Sequence, residues 1–304
     1  MPTVDIAQGR LHYRAAGPAN SATPPVVFVH GLLVNAELWT GVADALAAQG
    51  VRSYAPDLPL GSHPIALSPD ADLTPRGVAR LIIALLVALD LHDVTLVGND
   101  TGGALCQFLV DIDDSRVGRL VLTNCDAFDQ FPPPPFGMIV KIGRRPWRLR
   151  AMMAAIRPTR LRHSVLGYGA LVRNPLAPDL TRRWITPALT DPGVRRDTAR
   201  FLRGVNARDL LDVSTRLSRF TKPVVLIWGD ADRFFTIGLA RRLRDAFSNA
   251  HLVEIEGGRT FLPLDEPQRV AEEINAACHQ PTANAPLIAG DRGSAPVAQP
   301  GQGG

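Results

Sequence analysis

Short runs of β-branched and other apolar residues, each closed by turn-forming residues, recur along the chain. They lie at Val4–Ile6, Leu11–Arg14, Val26–Val29, Val51–Ala55, Val94–Val97, Val117–Leu122, Val224–Trp228 and His251–Ile255. Runs of this length and composition predict strands. Between the later ones the apolar positions take helical spacing, over Leu38–Ala48, Thr74–Asp90, Gly103–Asp111, Ile237–Phe247 and Pro267–Cys278. Strands that alternate with helices predict a mostly parallel sheet, because parallel neighbours are joined only by a crossover, and the crossover helices cover both faces. The expected fold class is therefore α/β, with eight strands whose C-terminal ends share one edge. Chemistry is expected on the loops along that edge.

The alternation stops between Asp126 and about Ser214, where the chain is Pro-rich over Phe131–Phe136 and then Arg-rich and helical. It resumes at Val224. This divides the chain into a first core segment (1–126), an inserted helical cap (127–214) and a second core segment (215–280). A tail (281–304) of Pro, Ala, Gly, Gln and Asn has too little apolar content to fold and is expected to be disordered. Within the cap, residues 141–183 hold Lys141 and ten arginines against one acid, Asp179. Such a stretch reads as a solvated surface, as an attractor for an anionic substrate, or as a contact with an anionic membrane through Met138–Ile156.

Composition narrows the picture further. At 304 residues, 46% hydrophobic and 20% charged, the chain has ordinary globular values. Its longest apolar run, Leu81–Leu89, has nine residues, too few to span a bilayer. The N-terminus lacks the pattern of a signal peptide, so a cytoplasmic location is expected. Cys106, Cys125 and Cys278 are widely spaced and read as buried apolar residues. A net charge of +4 does not argue for nucleic acid, and no spacing suggests a metal or cofactor site.

Two motifs carry the chemistry. In Leu96-Val97-Gly98-Asn99-Asp100-Thr101-Gly102-Gly103, a strand meets a helix through small residues that flank Asp100. This is the form of a nucleophile elbow with aspartate at its tip, and a carboxylate there implies attack on carbon and a covalent ester. The rival reading is an Asp that caps the following helix. In Val26-Val27-Phe28-Val29-His30-Gly31-Leu32, a buried strand runs into His-Gly. Gly31 lets the loop aim the N–H groups of Leu32 and Thr101 at the elbow tip as an oxyanion hole, while His30 reads as packing beneath the loop.

With these residues the chain resembles the α/β-hydrolase fold superfamily, over about residues 3–278, and in particular its aspartate-nucleophile branch of epoxide hydrolases and dehalogenases. The resemblance implies further roles. In Trp228-Gly229-Asp230-Ala231-Asp232 it makes Asp232 the triad acid, ahead of Asp126, and Asp230 a turn residue. In Thr260-Phe261-Leu262-Pro263-Leu264-Asp265 it puts Thr260 where relatives carry the catalytic histidine. Threonine is too weak a base to activate water near neutral pH.

A replacement base is then sought among the other histidines. His63, in the loop after the fourth strand, is preferred over His163 in the cap. Thr101 and Leu32 stand where dehalogenase relatives hold halide with Trp and Asn, which disfavours dehalogenation. Tyr168 is the sole cap tyrosine available to protonate an opening epoxide, while Trp147 and Trp184 are expected to pack the cap. The expected function is an epoxide-hydrolase-like enzyme acting on a small, partly apolar molecule without a cofactor. The alternatives are a degenerate site that binds a ligand, or a lyase or cyclase with Asp100 as general base.

Overall fold

The computed structural model of the protein describes residues 2–281, so the tail beyond residue 281 lies outside the described residues. Eight strands form one sheet: β1 (Thr3–Ile6), β2 (Gly9–Ala16), β3 (Val26–Val29), β4 (Ser53–Pro56), β5 (Val94–Asp100), β6 (Val117–Cys125), β7 (Val224–Gly229) and β8 (Ala250–Ile255). Their order is β1-β2-β4-β3-β5-β6-β7-β8. The β1/β2 and β2/β4 pairings are antiparallel and the rest are parallel. The predicted fold class holds. The central strands β3, β6 and β7 are buried along their whole length, which is why their sequences read as continuous apolar runs rather than alternating ones.

Strand ends differ from the expected runs by up to three residues, and two of the extensions bear on the site. β5 continues through Asp100, and β6 runs past its predicted end at Leu122 to Cys125. The extra residues, Thr123, Asn124 and Cys125, are buried; Thr123 pairs with Asn99 and Cys125 with Asp100, and an irregularity leaves Asn124 unpaired between them. Burial on both faces, not the polarity of Thr and Asn, decides where this strand ends.

Helices cover both faces. Pro75–Ala88, Thr101–Ile112 and Ile237–Ala246 pack one side through residues such as Leu81, Leu85, Phe108 and Leu243. On the other side, Thr40–Ala48 and Pro267–Cys278 contribute Val42, Leu46, Val270 and Ile274. Each fully buried side chain of this kind stabilises the fold by about 1.5–3 kcal/mol relative to exposure. Local signals agree with the packing: Thr74 caps the first of these helices by accepting the Gly77 N–H at 3.1 Å, with Pro75 opening the first turn. Cys106, Cys125 and Cys278 are buried and unbridged.

Between β6 and β7 the described residues contain helices and no strand, from Phe136–Gly143 to Ala207–Ser214. Hydrogen bonds fasten this segment over the C-terminal edge of the sheet. The Asp265 carboxylate accepts the N–H groups of Arg173 and Asn174 at 2.7 and 2.9 Å, and the Asp197 carboxylate accepts that of Leu67 at 2.7 Å. The Trp184 indole is fully buried and donates to Asn35 Oδ1 at 3.0 Å. Trp147 departs from expectation: it is 66% exposed. No described helix is long and apolar enough to cross a membrane.

Candidate active site

The turn from β5 into the helix Thr101–Ile112 places Asp100 at φ 54° and ψ −130°, a backbone conformation that costs a non-glycine residue about 1–3 kcal/mol. Its carboxylate does not cap that helix. Instead Oδ2 accepts the Leu32 N–H at 3.1 Å, across from the loop after β3. The two loops interlock so closely that a Cβ on Gly31 would lie 2.0 Å from Asp100 Oδ2, and one on Gly102 would lie 2.1 Å from the Val29 carbonyl oxygen. Small residues around Asp100 therefore have a steric cause.

Asp100 lines a cavity of about 460 Å³ between the sheet edge and the cap. Its walls are overwhelmingly apolar, from Leu33 and Phe234 on the core to Phe136, Ile139, Met153, Ile156 and Leu202 on the cap. The polar side chains among its lining residues are Asp100, Thr101, Asp126 and Tyr168. A smaller hollow of about 260 Å³, lined in part by Ala15, Trp39 and Ser53, holds none of the residues that the sequence singled out. In the main cavity, burial lifts the Asp100 carboxyl to about 7, against the lowering pull of the Thr101 and Leu32 amides, and the charge of Asp232 adds to the rise.

Asp232 sits behind the elbow in a closed ring of donors. Oδ2 accepts from Asn124 Nδ2 at 2.9 Å and from the Thr260 hydroxyl at 2.8 Å, while Oδ1 accepts the N–H groups of Phe234 and Phe235 at 2.8 and 3.1 Å. Burial raises its pKa although all four donors lower it. Thr260 is buried and faces Asp232, so these two are brought together as the motifs imply, with a hydroxyl where an imidazole was sought. Asn124 was not singled out in the sequence. It ties Asp232 to the Gly229 backbone, accepting the Gly229 N–H at 2.8 Å.

The remaining predicted residues divide. The buried His30 donates from Nδ1 to the Gly31 carbonyl at 2.9 Å and accepts the Leu58 N–H on Nε2 at 2.8 Å; burial lowers its pKa to about 4, so it is a neutral strut. Tyr168 does line the cavity, but its hydroxyl donates to the Leu33 carbonyl at 2.6 Å and burial raises its pKa.

His63 is not brought to the cavity. It is buried with Nε2 3.6 Å from Asp197 Oδ2 on the cap, because the loop after β4 turns under the helix Pro192–Gly204. His163, the other candidate base, hydrogen-bonds Thr181 at 2.8 Å within the cap. No histidine lines the cavity among the described residues. Asp126, which ranked below Asp232 on sequence, does line it, carried level with Asp100 by the three residues that extend β6.

A mostly parallel sheet with a strained elbow after β5, a backbone donor from the loop after β3 and a helical lid over both defines an α/β-hydrolase architecture. The chain belongs to the alpha/beta hydrolase fold family, whose profile matches residues 24–267. Among characterised sequences, it is 29% identical over 259 residues to 2-hydroxy-6-oxononadienedioate/2-hydroxy-6-oxononatrienedioate hydrolase 1 of Dechloromonas aromatica, covering 80% of this chain and 81% of that one.

Among solved structures it is similar to the epoxide hydrolase CorEH, with a TM-score of 0.73, 21% identity, and coverage of 91% of this chain and 97% of that one. It is also similar to the haloalkane dehalogenase DatA from Agrobacterium tumefaciens C58, with a TM-score of 0.71, 21% identity, and coverage of 91% and 95%. At these identities the structural likeness speaks to fold.

Proposed function

We propose that the protein is an epoxide-hydrolase-like enzyme that opens a small, largely apolar epoxide by attack of Asp100 on carbon. The observation that carries this reading is the Asp100 carboxylate, held at the elbow with Oδ2 on the Leu32 N–H and presented to an apolar cavity. The atom held by the amide becomes the carbonyl oxygen of the ester, so the same donor, with the Thr101 N–H beside it, stabilises the oxyanion formed when water adds. The other oxygen, Oδ1, is the attacking atom. A departing halide would find no indole or side-chain amide among the lining residues, whereas a departing epoxide oxygen needs only a proton. That asymmetry favours epoxide over haloalkane.

A second reading, a lyase or cyclase with Asp100 as general base, draws on a carboxyl poised at about 7. Intact-protein and peptide mass spectrometry after incubation with a panel of terminal, aryl and internal epoxides separates the two. An adduct of the epoxide's mass on Asp100, or diol formed with isotope from water entering the Asp100 carboxyl, supports the nucleophile. Neither product nor adduct leaves base chemistry or ligand binding and defeats the proposal.

The rim of the cavity points to where such a substrate is met. Met138, Val165 and Leu166 line the mouth and are 66%, 78% and 83% exposed. Trp147 stands nearby in sequence with the Arg148 guanidinium 5.1 Å above its ring. Of the basic residues in this part of the cap, Arg173, Arg182 and Arg183 are ion-paired, while Lys141, Arg145, Arg148, Arg150, Arg157 and Arg160 make no ion pair among the described residues. Unpaired cations interleaved with exposed apolar side chains suit an anionic lipid surface. We propose that the cap rests on such a surface, from which an apolar substrate enters the cavity directly.

A further inference from the structure

Asp126 presents a chemical anomaly that the nucleophile alone does not explain. The residue is 1% exposed, and neither of its buried carboxyl oxygens meets a donor at full hydrogen-bond geometry, the Thr101 hydroxyl being the side-chain donor that pulls on it. Buried carboxyl groups nearly always find donors, because an unpaired one loses its hydration with nothing in return. Asp126 nevertheless lines the cavity, and its own N–H donates to the Asp100 carbonyl at 3.4 Å, so the two acids stand side by side at the ends of neighbouring strands. Burial, reinforced by the Asp100 charge and opposed by the Thr101 hydroxyl, raises its pKa well above the ordinary carboxylate value and so favours the protonated form. The Tyr168 proton is committed to the Leu33 carbonyl, and no described histidine reaches the cavity. Of the polar side chains that line the cavity, Asp126 is therefore the carboxyl left to give a proton once Asp100 is assigned to attack.

Resting on the Asp100 reading above, we propose that Asp126 is the catalytic acid, and then the catalytic base, for small apolar epoxides. In the first step Asp100 Oδ1 forms a bond to one epoxide carbon as that carbon's bond to the ring oxygen breaks. The electron pair moves to the ring oxygen, which takes the Asp126 proton and becomes a hydroxyl. Asp126 is now a carboxylate beside an ester. In the second step it removes one proton from a water molecule as the water oxygen adds to the ester carbonyl, whose oxyanion is held by the Leu32 N–H. The tetrahedral adduct collapses with loss of the alcohol oxygen, which receives the water's second proton. The diol leaves, Asp100 is again a carboxylate and Asp126 again carries its proton. One side chain thus supplies both the proton for ring opening and the base for hydrolysis.

The test compares wild type with Asp126→Asn, Asp126→Ser and Asp126→Glu on styrene oxide and 1,2-epoxyhexane, by diol formation and by single turnovers in H2(18)O read on the diol and on the Asp100 peptide. Removing a general acid–base group is expected to slow diol formation by about 10²–10⁴-fold. The residual reaction of Asp126→Asn is expected to leave ester trapped on Asp100, with partial recovery in Asp126→Glu. Asp126→Ser gives a second carboxyl-free variant should the asparagine protein fail to fold.

Wild-type turnover with (18)O entering Asp100, but carboxyl-free variants within a few-fold of wild type and without trapped ester, overturns the role of Asp126 and leaves the nucleophile standing. Wild-type protein that accumulates ester without turnover overturns the base step. Label that enters the diol in the first turnover and never Asp100, or no product and no adduct, overturns the nucleophile reading and this inference with it.

Discussion

Replacing Asp100 with asparagine tests the electrostatics of the site without requiring a substrate. Asparagine has nearly the same volume and keeps an oxygen for the Leu32 N–H, which Oδ2 now accepts at 3.1 Å, but it does not titrate. The wild-type carboxyl is lifted from 3.8 to about 7, first by burial. A group whose pKa is raised on folding binds its proton more tightly in the folded state. Its contribution is fully present below the unfolded value and is lost as pH rises through the folded one, here between about pH 4 and 7.

A shift of about three units corresponds to a ceiling of about 4 kcal/mol at 1.36 kcal/mol per unit. Asp100 is only half-buried, being open to the cavity, and water there screens the charge, so about 2 kcal/mol is the working value. Denaturant titrations of both proteins from pH 4 to 8 read this directly. Asp100→Asn should match wild type near pH 4 and exceed it by about 2 kcal/mol at pH 8. Asp126 and Asp232 titrate in both proteins and largely cancel, and relief of Asp126 from the Asp100 charge adds in the same direction. A stability difference that stays constant over this range, or changes sign towards pH 8, refutes a carboxyl held near neutrality at the elbow.

Two further outcomes follow from other parts of the structure. In Gly31→Ala the new methyl would lie 2.0 Å from Asp100 Oδ2 and force the carboxylate off the Leu32 N–H. Epoxide labelling of Asp100 should slow by about 10²–10³-fold, the usual consequence of losing such a donor, and wild-type labelling would show that this contact does not matter. For the cap, sedimentation with phosphatidylglycerol vesicles but not phosphatidylcholine vesicles is expected. At about 1 kcal/mol per cation near an anionic surface, Arg148→Ala with Arg150→Ala should weaken it about 30-fold. Equal recovery with both vesicle types, or with neither, removes the lipid surface as partner.

The alternation of apolar runs with helical spacing determined the α/β layering and all eight strands, because a strand buried on both faces and a helix buried on one must each write its period into the chain. The Gly-rich passage around Asp100 and the His-Gly after β3 were equally legible, since backbone approaches of this closeness exclude a Cβ wherever they occur. Side-chain partnership was not legible. His63 looked available in a loop on the active edge, yet packing against Asp197 on a cap helix more than a hundred residues away along the chain took it from the cavity. Asp126 looked secondary, yet three buried residues that lengthen β6, paired with β5 across an irregularity at Asn124, carried it beside Asp100 and away from water. Local sequence specifies the conformations a short segment can hold. Which acid meets which, and whether either keeps its proton, depends on the register of strands distant in sequence and on the water that the cap excludes.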